Sequence, residues 1–294
     1  MITAGRIKRT ALWGWILLSA GSFWGCAARK PAWTEPGARV PLEYRMTGQA
    51  PLKYQNTSEI VQTMKFGDQS VETQMSSRYR VSMQPTGKEG DRIRLHVTVD
   101  SARLDIQSPA GSLSPDLAPV VGKGFDMVLS SLGREIDVSG AGSLKYTIPQ
   151  AGERTLESEF QAYFEDLPAK PVARGESWTG LDTINVDQSG TRMRMTFSNL
   201  NTYEAVEKAD GMECVRIRTE STGTLKGEGE QGGAKFEIEG NIKASGTWYF
   251  AVQEGILARS SSEATTESKI VMSGPQTMTI PMNMVIRTER ALVR

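Results

Sequence analysis

RIRLHVTV, residues 92–99, decides the fold class, because apolar and polar side chains alternate along it without a break. Ile93, Leu95, Val97 and Val99 fall on one side of an extended chain, and the intervening residues fall on the other. A period of two places all the apolar side chains on one face, as a half-buried antiparallel strand requires. This stretch therefore predicts a strand in an antiparallel sheet.

The same alternation recurs in RMRMTF at 192–197, VRIRT at 215–219 and MTIPMNMVI at 278–286, and glycine-containing pairs separate the runs. Strand-length runs bounded by turn residues predict a mainly β protein. GFDMV at 124–128 with Gly133 after it matches GTWYF at 246–250 with Gly255 after it. We therefore predict two related β-meanders, residues 41–152 and 171–294, that form a curved sheet or half-barrel, either as one continuous sheet or as two sub-domains.

One longer helix is predicted over residues 155–167, within a helix-and-connector segment that spans 153–170. Its apolar residues recur at helical spacing, and Pro168 follows them. Those residues are Leu156, Phe160, Tyr163, Phe164 and Leu167. SPDL at 114–117 also predicts a short helix that ends near Gly122.

The N-terminus has the pattern of a secretory signal peptide. Three basic residues, Arg6, Lys8 and Arg9, precede a short apolar run over 11–25. A basic start, an apolar run and a small residue at the cut site define such a signal. The run is shorter than the 20 or so residues that a membrane-spanning helix needs.

Gly25-Cys26 resembles the lipobox of bacterial lipoproteins, in which a small residue precedes the cysteine that is lipidated. The resemblance implies removal of residues 1–25, lipidation of Cys26 and a tether over 26–40. It also implies attachment to a membrane in the bacterial cell envelope. Ala27 favours the outer membrane, with the domain facing the periplasm. The alternative is an unmodified cysteine near an ordinary cleavage site.

The balance of charge in the sequence argues against a nucleic-acid-binding protein. The chain has 34 basic and 34 acidic residues, and removing the three basic residues before Cys26 leaves a mature charge of about −3. Nucleic-acid binding needs a basic surface, so we predict no nucleic-acid partner. Lipidation of Cys26 would leave Cys214 without a disulfide partner in its own chain.

LPAKPVARGESW, residues 167–178, resembles the LP-x-x-P-V-x-x-G-(D/E)-x-W signature of a β-rich bacterial family of unknown function. The family occurs among exported proteins and lipoproteins, and its signature carries no known catalytic residue. The motif implies an extended entry at Pro168 and Pro171, a turn at Gly175 and a strand that starts at Trp178. At the level of fold alone, the chain is also similar to curved-sheet lipoprotein carriers of the LolA and LppX type.

The residues suited to catalysis are isolated from one another. His96 is the single histidine and lies among arginines, and Cys214 begins an apolar strand. Glu135 and Asp137 share one strand face, where a solvated surface is the simpler interpretation. The glycine-rich stretch 223–233 lacks the Lys-Ser/Thr of a phosphate loop and predicts a flexible hairpin tip. We predict no enzyme, no catalytic or metal-binding residue and no cofactor.

Two functions remain open on the sequence. The first is an envelope lipoprotein that binds an apolar ligand or lipid in a cavity of the curved sheet. The second is a structural or assembly lipoprotein that binds other envelope proteins. The methionines fit core packing, an adaptable apolar lining or, least well, a Cu(I) site. The residues expected to line the cavity are Met278, Ile280, Met282, Met284, Phe160 and Phe164.

Overall fold

The structure is a computed structural model that describes residues 31, 33, 35, 37–46, 50–149, 151–231, 233–274 and 277–293. Strands make up 71% of it, which confirms the mainly β prediction. The strands are β1 Arg39–Val40, β2 Leu52–Phe66, β3 Gln69–Glu89, β4 Arg92–Ser108, β5 Gly111–Leu113, β6 Gly124–Ser130, β7 Glu135–Asp137, β8 Lys145–Ile148, β9 Gly152–Thr155, β10 Val172–Ala173, β11 Ser177–Gln188, β12 Thr191–Ala209, β13 Met212–Gln231, β14 Ala234–Ala251, β15 Ile256–Ser273 and β16 Met278–Val293.

Twelve strands form one continuous, curled half-barrel sheet. Its order is β11-β12-β13-β14-β15-β16-β2-β3-β4-β6-β7, with the short β5 beside β4. The last described strand, β16, pairs antiparallel with β2, so the first and last long strands lie side by side inside the sheet. Both sheet edges, β7 and β11, therefore come from the middle of the chain.

The sheet is much longer than one hydrophobic core. β3 has 21 residues, which at about 3.3 Å per residue is about 70 Å. Two separate apolar clusters lie along the strands. The main core is at one end, where the connection between β7 and β11 packs inside the sheet. The second cluster is nearer the other end and contains Leu225, Ile238, Ile242 and Met282.

The segment before β2, residues 39–46, packs against the main core. β1 pairs with β10, so the predicted tether is docked onto the domain from Arg39 onward. Residues 42–46 after β1 belong to no sheet. Their backbone bonds two turns instead, with the Tyr44 amide donating to Ser131 O at 2.8 Å and the Arg45 amide donating to Gly255 O at 3.0 Å.

The predicted helix at 155–167 is wrong, and the described residues contain no α-helix. β9 ends at Thr155, and a single 3-10 turn covers Glu157–Phe160. We call residues 156–168 the strap. Its five apolar side chains are all buried, as predicted. Beyond the 3-10 turn, two of its amides bond other elements rather than the preceding turn: Phe164 N donates to Glu135 and Leu167 N donates to Leu132 O.

Two smaller predictions are also wrong. Leu117–Gly122 forms i to i−3 turns rather than a short helix, as in the 3.1 Å bond from Val120 N to Leu117 O. The glycine-rich stretch lies mostly within the regular strand β13. Its glycines at 223, 227 and 229 face inward, where Phe197, Met193 and Phe236 of neighbouring strands cover them. Glycine serves there because a side chain would meet those residues.

Candidate functional site

A half-buried arginine lies at the boundary between the main core and the rest of the sheet. Arg290 is on the core-facing side of β16, and its Nε donates to Asn56 Oδ1 at 2.8 Å. Its Nη1 donates to the backbone oxygen of Tyr163, and its guanidinium lies 3.7 Å from the centre of the Tyr163 ring. Asn56 Nδ2 also donates to the Tyr163 hydroxyl at 3.0 Å. These contacts tie the strap to the sheet.

Aromatic and acidic groups surround this arginine. The Tyr79 hydroxyl donates to Glu159 Oε2 at 3.3 Å. Burial raises the pKa of Glu159, while Arg290 and the Tyr79 bond partly oppose that rise. The pKa of Tyr79 is also raised, mainly by burial. An ion this enclosed needs hydrogen-bond partners on several sides, which the strap supplies.

One row of residues across the sheet, next to Arg290 along β16, consists largely of hydroxyl side chains. Cross-strand pairing aligns Ser77 with Ser58, Ser58 with Thr288, and Thr288 with Ser262. The row continues through Gly246 to Thr219 and Asn201. We call Ser58, Ser77, Ser262, Thr288 and Thr219 the hydroxyl belt. It lies on the core-facing side, two residues from Arg290 and Asn56.

Water reaches this inner face at the belt. Ser262 and Thr288 are exposed even though they face inward, and their hydroxyls are 2.8 Å apart. Ser58 and Ser77 are half-buried, and no hydrogen-bond partner is shown for either hydroxyl among the described residues. The next inward row is half-buried and mixed, with small side chains at Ser221, Ala244 and Ala264 and apolar side chains at Ile286, Ile60 and Met75. The sheet thus has a wet, uncharged gap between its two apolar clusters.

The opposite, outer face of the same strands carries the charges. Arg218 pairs with Glu204 at 2.9 Å and with Glu220 at 2.7 Å, and Arg287 pairs with Glu263 at 2.7 Å. Exposed ion pairs of this kind add little stability, about 0–1 kcal/mol each. They do show that the outer face is suited to water, because charged side chains there stay hydrated.

Four carboxyl groups meet where the strap crosses between the two sheet edges. Glu135 belongs to β7, Glu165 and Asp166 to the strap, and Asp182 to β11. Burial raises the pKa of Glu135 to about 8, of Glu165 to about 7 and of Asp166 to about 6. The pKa of Asp182 is also raised by burial, against a 2.5 Å bond from Asn199.

The residues considered for catalysis lie apart from one another. His96 Nδ1 is 2.8 Å from Asp126 Oδ1 on the exposed face of β4. Cys214 is buried in the main core, and burial raises the pKa of its thiol to about 11. Asp137 is exposed and caps the Ser139 amide at 2.9 Å, whereas Glu135 turns inward to the strap. The two acids therefore do not form a pair.

Neither a metal site nor a membrane-spanning helix is found among the residues that the structure describes. No group of three or more His, Cys, Asp or Glu side chains there could hold a metal ion. In the same part of the chain, no helix is long and apolar enough to cross a membrane. Cys26 and the predicted signal peptide lie outside the described residues.

The residues predicted to line an apolar cavity do not share one. Phe160 and Phe164 are fully packed in the main core against Tyr163. Met282 is buried in the second cluster, at a different level of the sheet. Ile280 is buried, Met284 is half-buried, and Met278 is 44% exposed. The prediction placed all six around one void, whereas they are divided between two levels of the sheet.

No family model and no curated protein matches the chain. Several solved structures match in part, all at low similarity. Pseudomonas aeruginosa OccK2 (OpdF) in complex with glucuronate is 7% identical, with a TM-score of 0.24, 83% of this chain covered and 98% of the other. Salmonella typhi OmpF in complex with daunomycin is 8% identical, with a TM-score of 0.24, 85% of this chain covered and 100% of the other. The beta domain of the Bordetella autotransporter BrkA is 8% identical, with a TM-score of 0.23, 83% of this chain covered and 100% of the other.

The predicted function is contradicted. OccK2 and OmpF are outer-membrane porins rather than lipid-binding or assembly lipoproteins. TM-scores this low carry no further argument about activity. The packing gives the physical reason against a lipid carrier: Phe160 and Phe164, which were expected to line the cavity, are buried in the main core instead.

Sequence reasoning missed Arg290 and the hydroxyl belt. Arg290 sits in the sequence TERAL, which gives no sign that the arginine is half-buried. Ser58, Ser77, Ser262 and Thr288 lie as far as 230 positions apart, and only the cross-strand register aligns them. The available signal was the interruption of apolar alternation by serine and threonine at the same level of several strands.

Proposed function

We propose that this protein is a non-enzymatic β-sheet protein of the bacterial outer membrane and periplasm that binds polar, uncharged solutes in the gap at the hydroxyl belt. The observation that carries the proposal is the exposure of Ser262 and Thr288 on the core-facing side of the sheet. A wet inner face between two apolar clusters is a place where a ligand could lie.

The chemistry of the lining favours a neutral solute with many hydroxyl or amide groups, such as a saccharide. Serine and threonine hydroxyls both donate and accept hydrogen bonds, so they match such groups without a fixed charge. The charged side chains at this level point to the outer face. A lipid chain would gain little from a row of hydroxyls. The isolation of His96 and the buried Cys214 thiol support a role without catalysis.

Two adjacent serines on β15 provide a matched test. Ser262 faces the gap and Ser261 faces outward, and both are exposed. Maltopentaose is the probe, and its binding is measured by saturation-transfer NMR and calorimetry. We expect weak binding that Ser262→Trp reduces at least tenfold, because the indole fills the gap. Ser261→Trp should leave the affinity within twofold. Equal losses in both variants, or no binding of maltopentaose to the wild type, would contradict the proposal.

We also propose that Cys26 is lipidated and that residues 1–25 are absent from the mature protein. The support is the basic start, the short apolar run and the Gly25-Cys26 pair. Metabolic labelling with palmitate should mark the wild type and leave Cys26→Ala unlabelled. Cys214→Ala is the matched control and should keep the full label. Equal label in wild type and Cys26→Ala would refute the anchor.

A further inference from the structure

The strap joins the two edges of the half-barrel. On the β7 side, Phe164 N donates to Glu135 Oε1 at 2.7 Å, and Leu167 N donates to Leu132 O at 2.8 Å. On the β11 side, Trp178 Nε1 donates to Asp166 O at 2.9 Å. Release of the strap would therefore break its bonds to both edges and expose the side of the main core.

The strap also holds β11 by imitating a neighbouring strand. The Asn185 amide donates to Gln161 Oε1 at 2.6 Å, and Gln161 Nε2 donates to Asn185 O at 3.0 Å. One side-chain amide thus satisfies both backbone groups that an edge residue leaves open. Such a contact covers an edge without adding a full backbone ladder, so it can be broken at modest cost.

We call the contact of the strap with β7 and β11 the seam. When the carboxyl groups at the seam ionise, their negative charges repel one another and weaken the attachment of the strap. Two of them, Glu165 and Asp166, are on the strap, while Glu135 and Asp182 are on the two edges. Asp182 interacts unfavourably with each of the other three. Repulsion among these charges therefore pushes the strap away from both sides.

Few cations oppose that repulsion. Arg134 faces Asp166 and Asp182, and Arg290 faces Glu165. The remaining neighbours are uncharged: Tyr44 donates its hydroxyl to the backbone oxygen of Glu165, Asn199 bonds Asp182, and backbone amides donate to Glu135 and Asp166, which lowers their pKa values in part. The seam therefore holds four acids against two arginines, one of which is already engaged by Asn56 and Tyr163.

We propose that the strap is a proton-operated clasp: with its carboxyl groups protonated it holds the two sheet edges together, and loss of those protons loosens it and opens the side of the half-barrel. The pKa values of Glu165 and Glu135, raised to about 7 and about 8, place this change between neutral and mildly alkaline pH. The clasp does not depend on which solute the belt binds.

Hydrogen exchange of the purified full chain, read by mass spectrometry at pH 5 and pH 8, tests the clasp. Protection factors are corrected for the intrinsic pH dependence of exchange. We expect strap peptides to lose at least tenfold in protection at pH 8, while peptides from the centre of β13 change less than twofold. Equal protection of the strap at both pH values would overturn the proposal.

Variants separate the clasp from general loosening. Glu135→Gln with Glu165→Gln should remove most of the pH effect, while Glu237→Gln, an exposed acid on β14, should leave it intact. Arg134→Gln should enlarge the loss at pH 8, because it removes a compensating cation, and this variant still gives an answer if the double variant does not fold. A strap whose pH response is unchanged in both the double variant and Arg134→Gln would refute the clasp.

Discussion

At the scale of single residues, two glycines hold the chain segments that close the main core. Gly133 has φ of +96°, and a Cβ there would lie 2.3 Å from Glu165 O of the strap. Gly255 has φ of +67°, and its Cβ would lie 2.9 Å from the Arg45 amide. Each glycine therefore serves both a left-handed turn and a close backbone approach. The sequence match between Gly133 and Gly255 in the two halves reflects this shared structural role.

The first prediction separates these two requirements. Gly67 has φ of +59° but open space around it, so Gly67→Ala should lose about 1–2 kcal/mol of unfolding free energy from backbone strain alone. Gly133→Ala adds a clash with the strap and should lose clearly more, about 3 kcal/mol or above. Urea denaturation measures both. Similar losses in the two variants would mean that the strap does not press on Gly133.

At the scale of elements, sequence periodicity predicted strands well and the strap poorly. Alternation at 92–99 and at 192–197 reports the face of a strand directly, and both lie in long strands of the sheet. In the strap, helical spacing correctly selected the buried side chains. It failed on the backbone, because Phe164 and Leu167 donate their amides to β7 and to the turn before it. Those partners are distant in sequence, so no local pattern reveals them.

The candidate site was unpredictable for a related reason. The belt exists because β16 pairs with β2, which brings Thr288 beside Ser58. The alternation of β16 assigns residues to its two faces but does not reveal which strand lies beside it. Glycines at 223, 227 and 229 suggested a flexible tip, but they lie on the inner face of a regular strand beneath larger cross-strand side chains. Composition alone does not separate these two uses of glycine.

At the scale of the whole molecule, the segment that connects β7 to β11 crosses the opening of the half-barrel, and the two edge strands do not pair with each other. The two edges are both mid-chain, so the connection between them can cross the opening directly. The main core contains that connection, and the belt lies beyond it toward the second apolar cluster. Opening and solute entry therefore involve different levels of the same sheet. The pH dependence of stability should come chiefly from the contact of the strap with the two edges, where half-buried acids are concentrated.

The pH dependence of global stability tests that view. The pKa values of Glu135 and Glu165 are raised from 4.5 to about 8 and about 7 in the folded chain. Between pH 4.5 and 8 the folded state therefore keeps protons that the unfolded state has released. Stability should be greatest near pH 5 and fall toward pH 8, by about 1.4 kcal/mol per pH unit for each such proton. Urea denaturation at several pH values measures this slope. Glu135→Gln with Glu165→Gln should flatten it, whereas Glu237→Gln should not. A stability that rises from pH 5 to pH 8 would show that these carboxyl groups are ionised in the folded protein at little cost.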